Sequence, residues 1–401
     1  MSRFLERISG KARPPRPASD AKAAAAAGRQ PGTGPAKDGS SNRTIQPAEY
    51  GLPLRTELRT DRSVDDPALD AAVLAAKAGN WQPVGALMWE AGRDWERRYL
   101  YTWIFGALAA EDARWLQAWR QAHPQDGAAA AIEASSLVQL AWKIRTGDVS
   151  SKVSREQWDG FFRVLRQVPE HCREAAALSP EDPTPWVVLL GAAKGLQWGN
   201  DEFRALWAEV VARDPHHVLA HISAQSYWLP RWYGSTDLVL EFTEQAIAAA
   251  PVGSLLSLLR LDLLNRELRP EDSKLRPAFW RGEQVRWAID EALIDLAAAD
   301  PANVRINAMR SWLAVFLVRT ERWAEAVEQF RAIGRMVAFE PWSYSTDGTA
   351  LFTQQRATAV LGWEAAGRPA VPPPARHRSA PAGSYFDLTT PNPDAEPVTG
   401  R

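Results

Sequence analysis

The sequence predicts an all-α protein in which antiparallel helix pairs form an array between two disordered tails. Apolar residues recur at intervals of three and four along the body, as one buried helix face requires, for example at Val285, Ile289, Leu293 and Leu296. Helix-breaking dipeptides such as Gly199-Asn200 and Asp214-Pro215 separate the periodic segments. Strand-like alternation does not persist in the body, so no sheet is expected.

Composition divides the chain into three parts. Residues 1–45 are rich in Ala, Gly, Pro, Ser and Lys, and residues 367–401 are rich in Pro. Neither segment has enough apolar surface to offset the entropy of ordering, so both are predicted to be disordered. Residues 46–366 form the helical body, with divergent helix pairs in 46–180 and more regular pairs in 181–366.

Start and stop residues locate individual helices along the body. Ser154 with Gln157 forms a capping box, and Asn200 and Ser235 are predicted N-caps, since their side chains can accept backbone N–H groups. A longer insertion, NRELRPEDSKLRPAFW, separates two predicted helices before Arg281. Helices of the N-terminal half are expected near Pro67–Ala78, Pro83–Ala91, Asp94–Ala110, Ala113–Ala122 and Ala128–Arg145.

Two windows resemble tetratricopeptide repeats, whose period is 34 residues. In the window from Thr184, Leu190 and Gly191 occupy positions where small residues allow the paired helices to approach, and Pro215 closes the repeat. The window from Asn307 contains RTERWAEAVEQFRAI, which is similar to the second helix of such a repeat. The resemblance implies a tetratricopeptide-like solenoid in which stacked pairs bury one continuous core.

The segment YWLPRWYGSTDLVLEFTEQAIAAAPVGS resembles an uncharacterised bacterial family, domain of unknown function 4034. The similarity lies in the W-x-G-S turn formed by Trp232, Gly234 and Ser235, with His217 and His221 upstream. The segments GNWQPVGAL and GRDWERRYLY are similar to the Gly-x-Trp starts of that family, so the resemblance spans roughly residues 60–335. It implies no activity.

Charge and cysteine content restrict the classes of partner and compartment. The formal net charge is -1, with 47 basic and 48 acidic side chains, which does not favour a nucleic-acid partner. The single cysteine suits a reducing compartment. We find neither a signal peptide nor an apolar run long enough to span a membrane, and we therefore expect a cytoplasmic protein.

His217 and His221 are the candidate metal ligands, because an i, i+4 pair places both imidazoles on one helix face. The glutamate of the zinc-protease pattern is missing, and no third ligand stands nearby in the sequence. We therefore favour histidines of the core or of a helix interface. We predict no bound metal or other cofactor.

The Trp232-Tyr233-Gly234-Ser235 turn is the most distinctive motif among the chain's 19 tryptophans and other aromatic residues. Its aromatic pair could form a stacking platform for a ligand. The structural interpretation, which we favour, is that Gly234 permits positive φ, Ser235 caps the next helix and Trp232 fills the seam between pairs.

Catalytic motifs are missing from the sequence. It contains no Gly-x-Ser-x-Gly, no Walker loop and no dinucleotide-binding glycine cluster. Cys172 follows His171 directly, which does not position a catalytic dyad, so we expect an inert structural thiol. The protein is predicted not to be an enzyme.

The leading functional hypothesis is a non-enzymatic interaction scaffold that binds a protein or peptide partner along a concave helical face, through apolar contact rather than carboxylate capture. A small-molecule or regulatory sensor with a pocket at Trp232 and Tyr233 is the first alternative. A metal-dependent enzyme at His217 and His221 is the second. The inward-facing positions are expected to be Leu219, Ile222, Ser226, Ala308, Ser311, Val315 and Arg319.

Overall fold

The protein is described by a computed structural model that covers residues 45–61, 64–146, 153–338, 340–342, 345, 347–373, 380–381 and 384–386. Helices account for the regular structure of these residues, apart from one isolated β-bridge between Arg59 and Met336. The predicted all-α class is therefore confirmed. Short 3-10 helices at Pro47–Tyr50 and Arg55–Glu57 precede the α-helices, which are α1 Pro67–Lys77, α2 Gln82–Glu90, α3 Trp95–Ala109, α4 Arg114–Ala122, α5 Gly127–Arg145, α6 Arg155–Leu165, α7 Val168–Leu178, α8 Thr184–Leu196, α9 Asn200–Val211, α10 Val218–Tyr227, α11 Thr236–Ala249, α12 Leu258–Arg266, α13 Arg276–Arg281, α14 Glu283–Ala298, α15 Ile306–Arg319, α16 Trp323–Ile333 and α17 Gly348–Ala365.

Most predicted helix starts coincide with the observed ones, because local capping fixes them. Ser154 and Gln157 form the reciprocal capping box, and the Ser235 hydroxyl accepts from the Leu238 N–H at 3.1 Å. The prediction for Asn200 was wrong. Gly199 is the N-cap, and Asn200 is the first helical residue, whose side-chain oxygen accepts from the Tyr227 hydroxyl at 3.1 Å.

Consecutive helices pack against each other as pairs, and both repeat windows form such pairs, α8 with α9 and α15 with α16. The explanation offered for Gly191 was wrong, since a Cβ there would meet no atom within 4 Å. The close approach occurs at Gly195, where a Cβ would lie 2.6 Å from Leu165 and 2.9 Å from Phe161. Helix α8 therefore makes its glycine-dependent close approach to α6, one turn after the glycine that the repeat pattern indicates for the paired helix.

Helices α10, α12 and α15 run through the interior and are covered on nearly all sides. We expected these helices to line an open concave groove. That expectation was wrong, because most of the inward-facing side chains are buried in or beside the hydrophobic core. A helix that is buried all round needs small or apolar residues on every face. The buried members of the predicted set are Leu219, Ser226, Ala308, Ser311 and Val315, while Ile222 and Arg319 are partly covered.

The N-terminal segment packs against the last helices, so the array closes on itself. The Tyr50 hydroxyl donates to Glu364 on α17 at 2.8 Å, and Arg356 donates to the Pro53 carbonyl at 2.7 Å. The backbone of Arg59 exchanges hydrogen bonds with Arg335 and Val337 at 2.7 and 2.8 Å. These contacts join residues about 300 positions apart in the sequence.

The predicted N-terminal tail, residues 1–45, lies outside the described residues except for Ile45. Part of the predicted Pro-rich tail is described. Phe386 is buried against Trp287 at a ring distance of 5.9 Å, and the Trp363 indole donates to the Pro369 carbonyl at 2.8 Å. Within the described ranges, every helix is too short or too polar to cross a bilayer.

Candidate functional site

The Trp232–Ser235 turn is a tight connection between α10 and α11, and Gly234 is essential to its geometry. The Gly234 N–H donates to the Leu229 carbonyl, and a Cβ on Gly234 would lie 1.9 Å from the Trp228 carbonyl oxygen. Gly234 is not among the residues with positive φ, so the reason predicted for this glycine was wrong. The turn requires glycine because two backbone segments touch there.

Aromatic rings stack on one another beneath the turn. The Tyr227 ring lies between Phe203, at 3.6 Å, and Tyr233, at 4.8 Å, with nearly parallel planes. The Tyr233 hydroxyl donates to the Lys194 carbonyl at 3.2 Å. Because the faces of Tyr227 are already covered by these two rings, the stack anchors the turn to α8 and α9.

Lys194, which no sequence motif indicates, lies beside this turn. Its side chain is only 2% exposed, its Nζ donates to the Ser226 hydroxyl at 2.7 Å, and it lies 5.4 Å from the Trp232 ring centroid. Burial, together with the charges of Arg266 and Arg231, lowers the pKa of Lys194 to about 7. The sequence does contain one sign of this site, because Lys194 is the single charged residue of the apolar segment PWVVLLGAAKGL.

One of the two predicted histidines, His217, belongs to a second buried cluster, which joins three elements at Glu96. His217 Nδ1 lies 3.1 Å from one Glu96 carboxylate oxygen, and the Arg305 guanidinium donates to the other at 3.1 Å. The Val218 N–H, at the start of α10, also donates to Glu96. Glu96 stands in the first turn of α3, so this carboxylate connects the N-terminal half to two helix starts of the C-terminal half.

The protonation states of this cluster follow from its charges. Burial disfavours the Glu96 carboxylate, but the positive charges of His217 and Arg305 outweigh it and lower the Glu96 pKa to about 2. Burial also opposes the imidazolium of His217, yet the Glu96 carboxylate raises the His217 pKa. His217 Nδ1 therefore donates its proton to Glu96, and its 3.3 Å contact with the Ala220 N–H is not a hydrogen bond in that state.

His221 does not share a ligand site with His217. Its Nδ1 lies 2.9 Å from the His217 carbonyl oxygen, and its ring meets Trp207 edge-on at 4.8 Å. Burial lowers its pKa to about 4. Within the described part of the chain, no group of three His, Cys, Asp or Glu side chains is arranged to hold a metal ion.

A surface cleft of about 490 Å³ lies beside the Glu96 cluster. Its walls come from the start of α3, from the loop before α10 and from the loop after α11. Glu96 is part of the lining of the cleft, but its carboxylate already has partners in His217, Arg305 and the Val218 N–H. The cleft therefore presents no uncommitted carboxylate from Glu96.

Cys172 is a fully buried, unpaired thiol on α7. Burial raises its pKa, which disfavours the reactive thiolate. The adjacent His171 points to Glu133, at 4.0 Å, rather than to the sulfur. The arrangement fits the structural thiol that the sequence predicts.

We compared the chain with family models, with curated proteins and with solved structures, and none of them matches.

Proposed function

We propose that the protein is a non-enzymatic interaction scaffold, and that it binds a partner protein through the outer face of the N-terminal helix pair, α1 and α2. The sequence favours such a scaffold but predicts its binding surface in a concave groove. Because the inner helices are covered by the core, the proposed surface lies on the outside of the array.

The observation that carries the proposal is the position of Trp89. It is 82% exposed, more than any other large apolar side chain of the described residues, and Leu74 on α1 is 68% exposed. Tryptophan is enriched among the few residues that supply most of the binding energy at protein interfaces. Tryptophan at such exposure leaves an apolar ring in water, which association with a partner would relieve.

The helix pair holds Trp89 on a rigid base. The neighbouring residue Met88 is fully buried, as are Val84 and Leu69 on the same pair. The backbone that carries Trp89 is therefore fixed before binding, so a partner has to restrict only the rotation of the side chain. We infer that the partner presents an apolar pocket, in agreement with the apolar contact expected from the sequence.

The remaining expectations fit this proposal. The resemblance of residues 60–335 to the bacterial domain of unknown function 4034 gives a candidate family for the scaffold. A cytoplasmic location agrees with the single cysteine, which is buried and unpaired.

The test uses the full chain as bait in a bacterial lysate, beside a Trp89→Ser variant. We expect a stoichiometric partner on the wild-type bait, and at least about tenfold weaker binding to Trp89→Ser, as for an interface hot spot. Leu361→Ser, at an apolar position of α17 that is 39% exposed, is the matched control and should bind normally.

Equal capture by wild type and Trp89→Ser would contradict the proposed surface. Sedimentation of the purified chain identifies a second copy as the partner if wild type dimerises and Trp89→Ser does not. A monomeric wild type that captures no stoichiometric protein would contradict the scaffold itself.

A further inference from the structure

A pocket formed by α12 and α14 holds an aromatic side chain from the C-terminal segment of the chain. Phe386 is 3% exposed, and its ring lies 5.9 Å from that of Trp287 on α14, at an interplanar angle of 37°. The Arg260 guanidinium of α12 lies 5.8 Å from the centroid of the Phe386 ring. A residue from the segment after the last helix therefore fills a site that the helical body provides.

The walls of this site are positioned by contacts that do not involve Phe386. Arg260 Nε and Nη2 donate to the two Glu244 carboxylate oxygens at 2.7 and 2.6 Å, which fixes the plane of the guanidinium. The guanidinium lies 4.3 Å from the centroid of the Trp287 ring, within cation–π range. The surface of Arg260, Gln284 and Trp287, here named the aromatic pocket, is thus preorganised by α11, α12 and α14.

The aromatic pocket favours an aromatic ring over an aliphatic side chain. A guanidinium attracts the electron-rich face of a ring. Ring pairs at distances such as that between Trp287 and Phe386 gain energy beyond their buried area. Neither contribution is available to leucine. The Gln284 side-chain oxygen accepts from the Tyr385 N–H at 3.4 Å, so the pocket also contacts the peptide backbone just before the ring.

Residues 384–386 are held in the aromatic pocket by few contacts. Phe386 is buried, whereas the neighbouring Tyr385 is 48% exposed. The hydrogen bond to Gln284 is long, and the Ser384 hydroxyl is buried without a hydrogen-bond partner among the described residues. Because an unpaired buried hydroxyl opposes docking, the segment binds less tightly than burial of its ring alone would allow.

We propose that the aromatic pocket is a docking site for a peptide segment of a partner protein that inserts an aromatic side chain, and that residues 384–386 occupy it as a tethered competitor. Covalent attachment makes docking of Phe386 intramolecular, which raises its effective concentration. A single ring can therefore fill the pocket in the free protein and still be displaced by a tighter peptide. The site lies on α12 and α14, whereas the Trp89 surface lies on α1 and α2.

The experiment measures binding of a fluorescently labelled peptide of residues 380–388 to the full chain by fluorescence polarisation. Phe386→Ala empties the pocket, so this variant should bind the peptide at least about tenfold more tightly than wild type, whose own segment competes. Tyr385→Ala is the matched control, because the Tyr385 side chain is half exposed and the pocket stays filled. Its affinity for the peptide should remain within about twofold of wild type, as for a surface substitution.

Two further changes test whether the pocket recognises a ring. The same peptide with leucine in place of its phenylalanine should bind the Phe386→Ala protein at least about tenfold more weakly. Trp287→Ala, added to Phe386→Ala, should weaken binding of the phenylalanine peptide by at least about tenfold. The leucine peptide decides the question if the double variant does not fold.

Thermal unfolding separates a displaceable segment from a structural one. Phe386→Ala should lower the melting temperature by no more than about 3 °C, because the segment covers a pocket that other contacts have already formed. A larger loss, or failure to fold, would show that Phe386 is a structural part of the core and would overturn the proposal.

Equal peptide binding by wild type and Phe386→Ala, or binding by neither, would overturn the site while leaving the Trp89 scaffold proposal intact. Equal binding of the phenylalanine and leucine peptides would also overturn it. Dimerisation of wild type that is lost in Phe386→Ala would identify the occupant as the C-terminal segment of a second copy, and would overturn the assignment to a separate partner protein.

Discussion

At the scale of single residues, two glycines of the C-terminal half show that sequence position does not reveal why glycine is needed. Gly191 matches a small-residue position of the repeat, but the space beside it is open. Gly234 stands in a loop, and the Trp228 carbonyl occupies the place of a side chain. The same residue type is dispensable at the first position and required at the second.

Alanine substitutions test this difference. We expect Gly234→Ala to lower the free energy of unfolding by about 2–3 kcal/mol, because backbone must move to admit the methyl group. Gly191→Ala should instead raise it by about 0.5–1 kcal/mol, because alanine restricts the unfolded chain and fits the helix. Urea unfolding of both variants measures the effects, and a Gly234→Ala protein as stable as wild type would contradict the close approach.

At the scale of elements, the Glu96 cluster connects the start of α3 to the starts of α10 and α15. Glu96 accepts from His217, from Arg305 and from the Val218 backbone. Positively polarised helix starts favour a carboxylate at this junction. Removing the charge of Glu96 would leave Arg305 and His217 buried without their anion, which is more costly than losing an exposed pair.

Glu96→Gln should lower the free energy of unfolding by about 3 kcal/mol near pH 5.5. Glu209→Gln, which removes an exposed partner of Arg213, is the matched control and should cost at most about 0.5 kcal/mol. Similar losses in the two variants would contradict the importance of the buried cluster.

The advantage of wild type over Glu96→Gln should depend on pH in both directions. The Glu96 pKa falls from 4.5 to about 2 on folding, so its contribution is present above pH 4.5 and is lost as the pH falls toward 2. The His217 pKa is raised above 6.5, so its contribution is present below pH 6.5 and is lost as the pH rises through the folded value. Unfolding from pH 2 to pH 9 should show the largest difference between about pH 4.5 and 6.5, and a difference independent of pH would contradict this assignment.

At the scale of the whole molecule, the array has no free N-terminal edge within its described part. Residues 45–61 cover α16 and α17 through Tyr50, Pro53 and Arg59. In an open repeat array each end frays independently, because a repeat contacts only its neighbours. Here the N-terminal segment and the last helices protect each other.

Tyr50→Ala should therefore loosen two distant segments together. The substitution removes the hydroxyl bond to Glu364 and the buried ring. We expect faster amide hydrogen exchange in peptides from residues 45–61 and from α16 and α17, with little change in α8 to α10. Leu361→Ala, on the exposed face of α17, should leave exchange unchanged. Faster exchange confined to residues 45–61 would contradict mutual protection.

The sequence by itself determined the helical class and most helix boundaries. Apolar spacing of three and four, the Ser154 capping box and the Ser235 N-cap act within a few residues, so they are visible without tertiary structure. The two repeat windows likewise predicted the pairs α8–α9 and α15–α16. Burial of His221 also agrees with the favoured interpretation of this residue as a histidine of the core or of a helix interface.

Only the tertiary structure decided which side chains meet. Glu96 and Arg305 are 209 residues apart in the chain, and neither has a neighbour in sequence that indicates the other. The covering of the inner face likewise depends on how distant helices pack. Local patterns determine where helices begin and end, whereas burial and charge at each position depend on contacts between residues far apart in the sequence.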